Sequence, residues 1–208
     1  MDVNAWLAFL AACWIISLSP GSGAVASMSS GVRFGFRHGY WNVVGLQLAL
    51  ALQIAIVAAG VGAILATSVL AFEFIKWLGV VYLLYLGWQQ WCAIPTQLEE
   101  NANTNHEQSS ALSLIGNGFL INISNPKAIV FILAVLPQFL DPAEPQIPQY
   151  VIMAVTMIAV DMIVMAGYTG LAAQVLRYLK SPRQQKLLNR SFAVMFAGAA
   201  SMLSVVHR

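Results

Sequence analysis

Residues 3–32 contain no charged side chain, yet the polar, Pro-containing run Ser19-Pro20-Gly21-Ser22 sits in their second half. Residues 111–140 repeat the pattern, with one charge, Lys127, inside Asn122-Ile123-Ser124-Asn125-Pro126-Lys127. Proline removes a backbone donor and pushes the residue before it out of helical geometry. In hydrocarbon every freed backbone group needs a partner, so such breaks persist only where they face protein or a wet cavity. Matching interruptions in two halves of a membrane protein point to a transport site.

Six apolar segments follow from the pattern, at about 4–29, 41–66, 74–92, 112–139, 150–173 and 188–206. Each is near the ~20 residues that cross a bilayer. The sixth has a short uninterrupted run, so five crossings plus one re-entrant segment is the alternative. The expected fold class is all-α: a polytopic transmembrane bundle of about six helices in two inverted three-helix repeats. The first repeat is residues 1–92, the second 112–208, and a hydrophilic loop over 93–111 joins them. Asp141-Pro142-Ala143-Glu144-Pro145-Gln146-Ile147-Pro148 is a turn. Met1-Asp2 lacks the basic start of a secretory signal, so the first segment is expected to remain as a membrane helix.

Composition narrows the function classes. Apolar residues make up 59% of the chain and charged ones 9%, against about 25% charged in a soluble domain; mean hydropathy is +0.74. A net charge of +2 gives no reason to expect nucleic acid. Membrane lipids are the expected surroundings. No zinc-type spacing, Walker loop or dinucleotide fingerprint is present, so no metal, cofactor or ATP is expected. Cys13 and Cys92 lie in different segments and are not expected to pair.

Basic residues set the orientation. Arg33 and Arg37 follow segment one, and Arg177, Lys180, Arg183, Lys186 and Arg190 lie between segments five and six. With six alternating helices these loops share the cytoplasmic side, leaving only Lys76 and Arg208 opposite. Both termini are then outside. Glu99, Glu100 and Glu107 fall on the basic side too, but acidic residues count little in the rule. Segments one and four run in opposite directions, and Pro20 and Pro126 sit at similar depths.

Lys127 and Asp161 are the charges well inside predicted spans. Each costs about 2.5–3.5 kcal/mol at a helix centre on insertion scales. They neutralise one another structurally, or Asp161 exchanges protons and Lys127 contacts substrate. Gln47 and Gln53 in segment two need hydrogen-bond partners; Gln47 either faces the cavity opposite Asp161 or bonds a neighbouring helix. Gly23, Ser27 and Gly31 form a small-residue face suited to close helix packing. Amides after Pro20, with Gly21 and Ser22, are suited to binding a carboxylate as helix N-termini do, and Asn122 and Asn125 to similar work at the second break. The tryptophans fit an interfacial belt.

These residues carry a family resemblance. Ser19-Pro20-Gly21 with Ser29-Ser30-Gly31-Val32-Arg33-Phe34-Gly35-Phe36-Arg37-His38-Gly39 resembles the first signature of LysE-type amino-acid exporters. Gly118 to Ala128, with Leu136-Pro137-Gln138-Phe139, resembles the second. The likeness is greatest to the branch exporting homoserine, homoserine lactone, threonine and similar neutral amino acids. Where the family often has Pro-Gly-Pro, Ser22 replaces the second Pro and keeps a backbone N–H. The resemblance implies proton-motive-force-driven efflux of a small amino acid across the bacterial inner membrane.

The expectation is therefore a secondary transporter and not an enzyme. Pro20, Gly21, Ser22, Gln47, Asn122, Asn125, Pro126 and Lys127 bind substrate, and Asp161 couples protons. A membrane-embedded enzyme is the first rival, weakened because His38, His106 and His207 all lie outside the spans. A channel or scaffold is the second. Oligomeric state stays open, a homo-oligomer included.

Overall fold

The computed structural model describes residues 1–67, 69–92, 109–141, 143–171 and 182–205. The polar loop with Glu99, Glu100 and Glu107, the basic residues Arg177 and Lys180, and the ends of segments five and six lie outside them. Among the described residues the chain is helical throughout, with no strand.

Helix α1 (Val3–Leu18) starts on Asp2, whose carboxylate accepts from the Asn4 N–H at 3.3 Å. It stops because Ser19, the residue before Pro20, is extended (φ −67°, ψ 120°). At 16 residues, α1 is about 24 Å long, too short to cross alone.

Helix α2 (Ser22–Thr67) is two helices in one: Gly35 has φ 71° and ψ 171°. Left-handed φ suits glycine, and the chain doubles back there. Ser30 Oγ donates to the Gly39 carbonyl at 3.0 Å, and a Cβ on Gly39 would stand 2.6 Å from the Ser30 oxygen. Segments one and two therefore meet in a tighter hairpin than the sequence pattern suggested, with arms at 22–34 and 36–67.

Helix α3 (Val69–Cys92) follows. Helix α4 (Ala111–Ile123) is capped by Ser110, which accepts from the Ser113 N–H at 3.2 Å. A 55° bend separates it from α5 (Pro126–Val130), which continues through a π-helical turn (Phe131–Val135) and a 3₁₀ turn (Leu136–Phe139). Helix α6 (Gln146–Gly170) and α7 (Pro182–Val205) complete the bundle. Buried Gln149 holds the turn before α6, accepting from the Asp141 N–H and donating to the Asp141 carbonyl, both at 2.9 Å.

Two contacts fix the direction of the broken helices. His38, just past the Gly35 hairpin, lies 2.7 Å from the Ser109 carbonyl at the start of α4. At the opposite end the Phe9 and Phe139 rings meet edge-on at 5.3 Å, and Trp6 Nε1 donates to Thr156 Oγ1 at 3.1 Å. The α1–α2 arm and the α4–α5 run therefore traverse the bundle in opposite senses. Helix α2 packs on α4 and α6, and α3 on α7. Gly45 and Gly118 allow the α2–α4 approach: a Cβ on either would lie 2.0 Å from a backbone oxygen of the other helix. Gly31 does the same against Thr169, and Ser27 Oγ lies 3.4 Å from Met165 Sδ, so these two residues pack the first arm on α6, while Gly23 faces Leu46 of the second arm.

Phe9, Cys13, Leu46, Ile132, Leu136, Met153 and Phe196 form the buried centre, while Leu7, Ile56, Leu84, Val155, Ile163 and Val194 are exposed. So much exposed apolar surface belongs in lipid. Among the described residues two stretches, within α2 and in α6, are long and apolar enough to cross a bilayer, and the bent α4–α5 pair makes a third. Trp14, Trp41, Trp77, Trp88 and Trp91 are exposed, as a belt requires.

Candidate functional site

The two breaks meet. At the first, Ser19-Pro20-Gly21, the carbonyls that lose helical donors are satisfied from other helices. Tyr168 OH on α6 donates to the Leu18 carbonyl at 2.7 Å, and Lys127 Nζ, from the second break, donates to the Ser19 carbonyl. The ammonium also lies against Gly21, where a Cβ would stand 3.4 Å from Nζ. Beyond the break, the opening N–H groups of α2 have no intrahelical acceptor, because they begin a helix.

The second break, Ser124-Asn125, caps itself. Asn125 Oδ1 accepts from the Lys127 N–H at 3.1 Å, and Pro126 occupies the first helical turn, where its missing donor costs nothing. Gln53 Nε2 donates to the Asn122 and Ile123 carbonyls at 3.0 and 3.4 Å. Tyr82 OH on α3 donates to the Pro126 carbonyl at 3.1 Å. Asn122 Nδ2 donates to the Leu46 carbonyl at 2.8 Å and pins the break to α2.

Asp161, on α6, faces the same space. Its Oδ2 accepts from Gln47 Nε2 at 2.7 Å, and buried Ser17 lines the same cavity. Gln47 Oε1 is buried with no hydrogen-bond partner among the described residues. A cavity of about 50 Å³ lies between these groups, walled by Ser19, Gly21, Asn122, Asn125, Lys127 and Asp161, with Ile16, Leu46 and Met157 among its apolar lining. That space holds roughly three waters, at about 15 Å³ each.

Five of the nine expected site residues, Gly21, Asn122, Asn125, Lys127 and Asp161, line this cavity. Gln47 reaches it through Asp161, and Pro20 makes the break on its wall. Ser22 and Pro126 do not line it: both are exposed. Successive helical residues point about 100° apart, so Ser22 turns away from the cavity that its neighbours Gly21 and Gly23 face. Lys127 points at the Ser19 carbonyl rather than closing a contact with Asp161. The pattern of the chain did not single out Ser17, Tyr82 or Tyr168. The tyrosines' only signal is a hydroxyl within a long apolar helix.

The sequence model described as LysE type translocator matches residues 14–205. A protein of Vibrio cholerae serotype O1 named "Uncharacterized membrane protein" is 43% identical over 204 residues, 98% of each chain. The homoserine/homoserine lactone efflux protein of Salmonella typhimurium is 40% identical over 204 residues, again 98% of each. The leucine efflux protein of Enterobacter sp. (strain 638) is 28% identical over 208 residues, 99% of this chain and 97% of that protein. No solved structure matches. A family match across both broken helices, with full-length relatives at this identity, means that the chain belongs to the LysE-type translocators.

Proposed function

We propose that this chain exports a small neutral amino acid or close derivative, of the homoserine or threonine kind, from the cytoplasm across the bacterial inner membrane. The observation that carries the reading is the single cavity shared by both breaks, with an ammonium on one wall and a carboxylate on another. An α-amino acid has the complementary pair. Its carboxylate exchanges for the Ser19 carbonyl at Lys127 Nζ and meets the Gly23 and Ala24 N–H groups in the opening turn of α2, where the helix dipole favours an anion. Its ammonium meets Asp161 and the unpartnered Gln47 Oε1. The names of the efflux relatives support the substrate class and the direction.

In this reading the chain crosses the membrane six times, both termini outside, as inverted repeats over 1–92 and 112–208 that rock about the cavity. The proton motive force drives export, and Asp161 carries the proton: protonated, it releases the ammonium; ionised, it holds it. Buried carboxylates inside bundles commonly serve as proton relays. Cells overproducing or lacking the protein, loaded with dipeptides, test the substrate class by mass spectrometry of released amino acids. Excess release of a small neutral amino acid by the overproducer supports the reading, and identical profiles contradict it. In proteoliposomes, Asp161→Asn should abolish accumulation driven by a pH gradient; unchanged coupling removes Asp161 from this role.

A further inference from the structure

The first arm of α2 has a small-residue face and a second face on which polar residues alternate with apolar ones. Ser27 and Gly31 pack on α6, and Gly23 faces Leu46 of the second arm. The other face carries Ser22, Ser29 and Arg33, at spacings of seven and four that align them along one side of the helix. Across from it stand Leu114, Asn117 and Ile121 of α4, and between the two helices runs a groove of about 420 Å³. Ser22, Ser29, Arg33 and Asn117 are all exposed there. Val25 and Phe34 share the groove, while the exposed apolar side chains Leu52, Ile56, Val155 and Ile163 stand outside it. Polar side chains, an arginine above all, are costly against hydrocarbon and in spans face water or protein.

Groove and central cavity share their walls. Gly21 and Gly23 line the cavity while Ser22, between them, lines the groove; Asn122 lines the cavity and Ile121 the groove. Only the opening turn of α2 and the closing turn of α4 separate the two spaces. From Arg33 to Ser22 is about 16 Å of helix, half of the ~30 Å hydrocarbon core. The groove therefore reaches from the basic hairpin at Gly35 to the depth of the break.

We propose that this groove is an aqueous vestibule through which the zwitterionic substrate reaches the cavity from the cytoplasm, with Arg33 as its first carboxylate contact. The direction rests on the export reading above; the wet character of the groove does not. The small cavity then marks a closed passage, and substrate enters when the two helix ends part.

The test is side-specific labelling. In a background with Cys13→Ala and Cys92→Ser, Ser29→Cys and Asn117→Cys are exposed to a membrane-impermeant thiosulfonate in inside-out and right-side-out vesicles, with Ile163→Cys as the lipid-facing control. Labelling of both groove positions in inside-out vesicles at least about tenfold faster than the control, slowed by saturating homoserine at Ser22→Cys, is the expected result. Reaction from the other side overturns the proposal, as does labelling only by a membrane-permeant maleimide, which means lipid or a second copy covers the groove. Because labelling needs no transport, a wet, cytoplasmic groove in a chain that exports nothing defeats the export reading alone. Arg33→Gln adds a kinetic readout: KM rises about fivefold at unchanged kcat, and the salt dependence of wild-type kcat/KM disappears. Unchanged KM and an unchanged salt slope remove Arg33 from the entry path.

Discussion

The two proline breaks look alike in sequence and are built differently. At the second, the chain supplies its own cap through Asn125, while Gln53 and Tyr82 satisfy the exposed carbonyls and Asn122 ties it to α2. At the first, the carbonyls are met from a distance by Tyr168 and Lys127, and the opening turn of α2 lines the cavity. One break is a finished structural joint. Its counterpart is held by a tyrosine hydroxyl and a movable cation, which suits a place where a ligand must take over bonds that the protein makes for itself.

The largest effect expected from this contrast is at Lys127. Lys127→Met should reduce transport at least 100-fold in proteoliposomes, about 2.7 kcal/mol or more of lost transition-state stabilisation, while the purified protein keeps its helical circular dichroism. Retained transport would make Lys127 a strut like Asn125. Next in size is the stability cost at the capped break. Asn125→Ala should lower unfolding stability by about 1 kcal/mol and leave KM within about twofold, measured by thermal denaturation in detergent and by transport. A large KM change would mean that Asn125 contacts the substrate as well as capping the break. Tyr168→Phe and Tyr82→Phe each remove one hydrogen bond, about 0.5–1.5 kcal/mol. Only the Tyr168 change should also alter transport kinetics, because only it loosens the first break; equal kinetic effects would erase the contrast. Ser22→Pro is expected to do least. Proline is tolerated at a helix start, and Ser22 faces the groove, so KM should change less than about threefold. A greater rise would show that the Ser22 N–H holds the carboxylate.

Much of this was legible in the chain because the signals are local. Proline at 20 and 126 dictates a break whatever surrounds it, and charges at 127 and 161 stand out in apolar runs. Gly35 was less legible: a lone glycine beside two arginines gives no sign that the helices run right up to it. Partners were hidden for a different reason. That Lys127 reaches the Ser19 carbonyl and not Asp161, or that Tyr168 supports Leu18, depends on how separate helices pack. The position of Ser22 outside the cavity turned on helical phase, which a break resets and spacing across a break cannot carry.

The central claim is that one substrate bridges Lys127 and Asp161 across the junction of the two breaks. Competition in a counterflow assay tests it most directly, using the transported amino acid, its decarboxylated amine and its deaminated hydroxy acid against wild type, Lys127→Met and Asp161→Asn. The account predicts that wild type strongly prefers the amino acid, that Lys127→Met loses its preference over the amine, and that Asp161→Asn loses its preference over the hydroxy acid. Variants that weaken all three ligands alike, each keeping the wild-type order, would contradict it.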